Sequence, residues 1–240
     1  RQVSRVFLAS LFLGLCLPLG ILLEFSLAAT ICVSLASWIL LTIGKDLKNK
    51  LANKSSLRSG LSSLSSSYVG MVLAHTGISV MLIGAGLTTY FSLERSILLG
   101  PGEQVELGSY AFIFNGHEEI RGPNYIGDRA NISVLRNGSE IETLYPERRI
   151  YLASGTPSTE MAIDAGLLRD LFVTLGEEKE GGSWSMTVYV KPFVRWIWLG
   201  AIFMAMGGTI AALDKRYRLL RRRKIEKSKE REVAADLAAT

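Results

Sequence analysis

Two cysteines, Cys16 and Cys32, are all that 240 residues contain, and both lie inside apolar runs. That excludes a Cys-x-x-Cys dithiol centre, a Cys-x-x-Cys-His motif and any cysteine-based zinc cage, so the two thiols read as small buried hydrophobes. Residues 92–192 hold no cysteine, and no disulfide can staple them. Histidine is equally scarce, with only His75 and His117, so His-Glu-x-x-His is absent. There is no phosphate-binding glycine loop, no Gly-x-Ser-x-Gly elbow and no internal repeat. What the chain has in quantity is hydrocarbon: 48% of its residues are hydrophobic.

The apolar residues are concentrated in three blocks, residues 6–43, 69–91 and 193–213. About 20 apolar residues cross a bilayer core. The first block is long enough for two spans and is interrupted near Pro18, Gly20 and Glu24, so it reads as a hairpin and the total becomes four. These blocks lack the polar face that a helix on a soluble domain would show. A cleaved signal peptide accounts less well for residues 1–25, because no small-x-small site leads into polar sequence.

The net charge of +5 hides a split. Residues 90–193 carry 9 Lys/Arg against 15 Asp/Glu. The basic residues elsewhere cluster at Lys45, Lys48, Lys50, Lys54 and Arg58, and again over Lys215–Arg231. An excess of Lys and Arg beside spans marks the cytoplasmic side. Both basic segments, with Arg1 and Arg5, are therefore expected inside, and the acidic stretch outside. Topology accounts for Arg218–Lys224 without nucleic acid.

The expected fold is thus a polytopic α-helical membrane protein with about four transmembrane helices and a small β-rich extracytoplasmic domain. Residues 1–44 form a two-span hairpin, 45–68 a basic and serine-rich cytoplasmic loop, and 69–91 a third span. Residues 92–192 form the acidic domain, 193–213 the fourth span and 214–240 a basic cytoplasmic tail. The weak leucine rhythm at Leu47, Leu51, Leu57, Leu61 and Leu64 leaves the loop open between an amphipathic helix and a linker. In the acidic domain, short apolar runs recur at Val105–Leu107, Ala111–Phe114, Ile132–Leu135, Ile141–Leu144, Ile150–Leu152 and Met186–Val190. Arg136-Asn-Gly-Ser139 is a strong hairpin signal. Only Glu160–Leu175 has helical character. His117, beside Glu118 and Glu119, reads as a solvated loop residue. Phe193, Trp196 and Trp198 would belt the outer surface and Tyr217 the inner one.

His75 is the anomaly. An ionisable imidazole inside a bilayer-length run is costly unless it is partnered, and it marks a functional site by default. At 100° per residue Tyr68, Val72, His75, Ser79, Leu82 and Gly86 share one face, while Gly70, Gly77 and Gly84 share the other. Small residues in a stripe admit a neighbouring helix closely. Space is therefore expected on the His75 side, with Ser79 and Gly86 leaving room there. His75 lies about 10 Å along the helix from Tyr68 by helical rise. A structural hydrogen bond, a proton relay, and metal or haem ligation are all open to it.

A family resemblance narrows these. Met71–Val80, Glu94–Glu103, Gly122–Tyr125, Glu147–Tyr151, Ser158–Asp164, Arg169–Glu177, Lys191–Gly200 and Asp214–Arg218 occur in the order found in CcmF, the large haem lyase subunit of bacterial cytochrome c maturation. The chain resembles the C-terminal part of that family, densely from residue 69 to 218. The resemblance implies a complex that takes haem from a covalent haem chaperone and joins it to the thiols of a Cys-x-x-Cys-His apocytochrome c. It also implies that His75 is one axial ligand of a membrane haem b, making it both the cofactor-binding and the metal-ligating residue of this chain. The implied partners are the N-terminal part of the same haem lyase and other maturation subunits, in the bacterial inner membrane. The tryptophan-rich haem loop, its flanking histidines and the second axial histidine belong to that N-terminal part. Trp38, Trp184, Trp196 and Trp198 do not form the loop. The expectation is a fragment or a separately encoded piece, inactive alone, with no catalytic residue of its own. A non-catalytic assembly subunit and a proton-coupled transporter fragment are the alternatives.

Overall fold

The computed structural model of the chain describes the backbone of residues 2–22, 26–52, 54, 56–179 and 181–214, and the side chains of these except residues 2, 3, 17–22 and 57. The described residues fall into two compact units, one drawn from Arg1–Ile83 and Ile197–Thr240 and the other from Gly84–Trp196. Glu24, Tyr217 and the basic tail Lys215–Arg231 lie outside the described residues.

The helices are α1 (Gln2–Leu22), α2 (Leu27–Leu51), α3 (Leu57–Ser62), α4 (Ser66–Phe91) and α5 (Val194–Ala212). Among the described residues α2, α4 and α5 are long and apolar enough to cross a membrane, against four such spans expected; the part of α1 with described side chains, Ser4–Cys16, is a shorter apolar helix. The helix does not break at Pro18 or Gly20 as expected but runs to Leu22. Proline removes one N–H, and in an apolar run the other backbone groups are best satisfied by continuing the helix.

Ser26 opens α2 by accepting the Ala29 N–H at 3.2 Å, the usual N-cap arrangement. The helix ends at Leu51 rather than at residue 44, so Lys45, Lys48 and Lys50 are helical instead of lying in a loop. Lysines in a last turn complement the negative end of the helix dipole. The leucine rhythm is divided: Leu47 and Leu51 lie on α2, Leu57 and Leu61 on the short α3, and Leu64 on neither. A Cβ at Gly60 of α3 would stand 2.5 Å from Leu51 Cδ2, so Leu51 packs onto that glycine.

The glycine face of α4 is used as its spacing predicts. A Cβ at Gly70 would lie 2.5 Å from Gly207 O, and one at Gly77 2.6 Å from Gly200 O. Gly200 and Gly207 are themselves seven residues apart on α5, so two glycine stripes meet and the backbones approach as no larger residue allows. The first turn of α4 is closed by two side chains. Ser65 Oγ accepts the Tyr68 N–H at 3.2 Å, and the buried Asp214 carboxylate accepts the Ser67 N–H at 2.8 Å.

The second unit is all β between its helix ends. One sheet is ordered β1 (Leu93–Leu99), β10 (Trp184–Pro192), β9 (Arg169–Glu178), β8 (Ala162–Ala165). The other is ordered β2 (Gln104–Leu107), β3 (Tyr110–Arg121), β4 (Tyr125–Arg136), β6 (Glu147–Tyr151), β7 (Pro157–Glu160), with β5 (Ser139–Leu144) also on β4. Every described strand pair is antiparallel. Alternate residues from both sheets, including Phe112, Phe114, Ile132, Val134, Leu171, Val173, Leu175 and Met186, bury into one core. Asn137 (φ 51°) and Gly138 (φ 78°) make the expected tight β4–β5 hairpin, with Arg136 opposite Ser139. Both central residues need positive φ, which Asn-Gly supplies.

The helix expected over Glu160–Leu175 is absent. That stretch is the end of β7, all of β8 and the start of β9. Burial there alternates at Leu171, Val173 and Leu175, a period of two that belongs to a strand packed on one face. Tertiary pairing overrode the local helical preference.

Candidate functional site

His75 sits on α4, and its Nδ1 lies 2.9 Å from Met71 O, one turn back. A carbonyl only accepts, so Nδ1 carries the proton and donates. That tautomer leaves the lone pair on Nε2, which has no hydrogen-bond partner among the described residues. A ring whose Nδ1–H is fixed by a backbone carbonyl and whose Nε2 is bare has the arrangement of a metal-binding histidine. The His75 side chain is exposed, so Nε2 is accessible.

The space beside it is a groove of about 380 Å³, within the range of small-molecule sites. Met71 and His75 form the α4 wall; Trp38, Ile39, Thr42 and Ile43 form the α2 wall. Asp46 and Tyr68 close one end, where Tyr68 Oη donates to Asp46 Oδ2 at 2.7 Å and Lys50 Nζ lies 4.7 Å from the Tyr68 ring centre. Charge thus stays at the end nearer the basic segment, and apart from the Thr42 hydroxyl and the His75 imidazole the walls are apolar.

The expected face is only half correct. Tyr68 and His75 border the groove, but Ser79 is fully buried with its Oγ–H donating to His75 O at 3.0 Å, and Gly86 is buried as well. Trp38, Thr42 and Asp46 were missed although their i, i+4, i+8 spacing was available. Ending the second span at residue 44 cut Asp46 off from the helix face that carries the other two.

Among the described residues no three His, Cys, Asp or Glu side chains converge, so a bare ion finds no protein cage here. An iron already held by a macrocycle asks the protein for axial ligands only. One accessible Nε2 over an apolar groove with an aromatic wall fits one side of such a group.

The β domain carries a separate polar centre. Glu147, 7% exposed, stands opposite Arg129 on the neighbouring strand and two residues from Arg149. Arg129 Nε donates to its Oε1 at 2.7 Å and Arg149 Nε to its Oε2 at 2.7 Å, and each arginine's Nη2 approaches the same oxygen as closely. Burial pushes the Glu147 carboxyl upward, but the hydrogen bonds and charges of the two arginines outweigh it and hold it below the usual range. On neighbouring Asp128 burial wins and its carboxyl is raised. A bulge at Asn115 shifts the register of β3 between Phe114 and Gly116, and Gly116 takes φ 120°. After that shift His117 pairs with buried Ala130 and its ring lies 4.7 Å from that of Trp184. His117 is therefore in a strand rather than in a loop, and its side chain is exposed as expected.

Residues 90–192 match the family described as the CcmF C-terminal beta-sandwich. The chain is 46% identical over 196 residues to the cytochrome c-type biogenesis protein CcmF of Pseudomonas aeruginosa, covering 82% of this chain and 30% of that protein. It is 45% identical over 152 residues to the protein of the same name from Escherichia coli K12, covering 63% and 24%. A solved structure named cytochrome c heme lyase CcmF matches with a TM-score of 0.71 at 19% identity, over 88% of this chain and 34% of that one. At that identity the likeness speaks for the fold. The chain spans 30% or less of the length of these two curated relatives.

Proposed function

The chain belongs to the CcmF family, corresponding to the C-terminal part of its members, and from that premise we propose that it is the C-terminal segment of a cytochrome c haem lyase in which His75 is one axial ligand of a b-type haem. The observation that carries this is the pairing of a backbone-held Nδ1 with a bare Nε2 over an apolar groove. Met71 O orients the ring, the Trp38 and Ile39 wall keeps water off, and the glycine contacts of α4 with α5 fix the helix that presents it. A haem held there by His75 would supply one-electron redox chemistry. The second axial ligand comes from the N-terminal part of the lyase.

In this reading α1 is a fourth span, the basic segments face the cytoplasm of a bacterial inner membrane and the β domain stands on the periplasmic side. That domain is a scaffold for the apocytochrome c, the haem chaperone or other maturation subunits. The test is a reduced-minus-oxidised spectrum of the chain purified with its N-terminal partner, in wild type and in His75→Ala. A b-type spectrum whose yield is lost in the variant is expected; an unchanged yield refutes the assignment.

A further inference from the structure

The connection between β8 and β9 presents two consecutive leucines, Leu167 and Leu168, 66% and 59% exposed. Their backbone is nevertheless held firmly. The Gly166 N–H donates to both Arg169 O and Asp170 Oδ1 at 3.0 Å, and Arg169 pairs with Asp164 across the same turn. Further bonds run from this connection to the beginning of α5. The Phe193 N–H donates to Leu168 O at 3.0 Å, the Trp196 indole N–H donates to Leu167 O at 3.2 Å, and Arg195 Nε lies 3.8 Å from Asp170 Oδ1.

The length of α5 sets the level of those contacts. Its 19 residues rise about 28 Å at 1.5 Å each, and a bilayer core is about 30 Å thick. A helix that crosses with so little to spare has its first turn at the boundary, where tryptophan is favoured. The carbonyls of Leu168 and Leu167 that bond to Phe193 and Trp196 lie beside that first turn. The end of β10 is tied to the last turns of α4 in the same place, where Thr88 Oγ1–H donates to Pro192 O at 2.6 Å. The ionised groups beside the leucines are paired, Asp164 with Arg169 and Asp170 with Arg195, as a segment leaving water requires.

We propose that Leu167 and Leu168 are a membrane anchor of the β domain, inserted into the interfacial layer of the bilayer that α5 crosses. The inference rests on the reading of α5 as a span. It gives the domain a second attachment to the lipid surface besides the two helix ends that enter it.

Spin labels test it. The full chain, with Cys16→Ala and Cys32→Ala, is reconstituted in phosphatidylcholine vesicles and labelled singly at cysteines replacing Leu167, Leu168, Ile202 or Glu178. Ile202 is an exposed position within α5; Glu178 ends β9, about 30 Å along the strand from Arg169 at 3.3 Å per residue. Labels at Leu167, Leu168 and Ile202 should collide more with oxygen than with a water-soluble nickel chelate, and the ratio should invert at Glu178. Nickel-dominated collisions at Leu167 or Leu168 with oxygen-dominated collisions at Ile202 overturn the anchor and leave the span standing. Nickel-dominated collisions at Ile202 overturn the span and the anchor with it.

Discussion

Replacing Glu147 by glutamine isolates the charge that joins β4 to β6. The side chain keeps its shape, so packing around the buried Pro146 and Leu144 is undisturbed, but two guanidinia lose a shared carboxylate held at 2.6–2.7 Å. Removing one partner of a buried pair costs about 3–5 kcal/mol. Here Arg129 and Arg149 are 39% and 26% exposed and can turn to water or to Glu118 and Glu160, so solvent takes up part of the loss and about 2 kcal/mol remains. For a domain of this size that lowers the melting temperature by about 10 °C. Fluorescence of the buried Trp184, followed on heating the full chain in detergent near neutral pH, reads it. The pH dependence carries a sign. Because the folded Glu147 carboxyl lies below its ordinary 4.5, its contribution is present above about 4.5 and is lost as pH falls through the lowered folded value. Wild type and variant should therefore converge in acid. Melting temperatures within about 2 °C of each other near neutral pH, or a gap that widens rather than narrows as pH falls below about 4.5, refute the reasoning.

Gly77→Val should lower detergent stability by about 1–3 kcal/mol through overpacking, because its Cβ meets Gly200 O at 2.6 Å; Gly208→Val, with nothing within 4 Å, should not. Thermal aggregation of the two variants compares them. Gly138→Val forces a β-branched residue to φ 78° and should cost about 1–2 kcal/mol, read as a lower urea midpoint of the Trp184 signal, while Asn137→Gly should be neutral. Asp214→Asn weakens the cap on Ser67 by about 1 kcal/mol, and hydrogen exchange at the Ser67 and Tyr68 amides should quicken several-fold while amides in β9 keep their rates.

How far the fold was legible follows from where its signals reside. Asn137-Gly138 states its own conformation, so the β4–β5 hairpin could be read locally. The glycine heptads of α4 state a packing face, and Gly70 and Gly77 use it. The limits of β9 could not be read this way, because Leu171, Leu175 and Met161 fit a helical period as well as Leu171, Val173 and Leu175 fit a strand. The choice is made by β10 and β8 on either side. His117 is solvent-exposed as expected, but it lies in β3 rather than in a loop, beyond a bulge at Asn115 that nothing local announces. His75 was singled out because imidazole in a bilayer-length run is conspicuous by itself, and the groove does border it. The α2 wall of its groove was missed because charged residues after Gly44 were taken to end a helix that in fact carries them for two further turns.

That extension of α2 also bears on how the histidine is held. His75 owes its position to three constraints internal to one unit. Met71 O fixes the ring, the glycine contacts with α5 fix the rotation of α4, and the Tyr68–Asp46 bond fixes α4 against α2. Of these, the last is the only one that spans the groove, since the apolar walls merely face each other across it. Tyr68→Phe should therefore leave His75 in place on α4 but loosen the distance between the walls, by the roughly 1–2 kcal/mol of a hydrogen bond to a carboxylate. Under the haem ligation proposed for His75, this predicts a haem that is still bound in the complex with the N-terminal partner, with weaker affinity and a broadened spectrum, in contrast to the outright loss expected for His75→Ala. Equal loss in both variants would mean that Tyr68 acts on the group directly and that the wall spacing is set elsewhere.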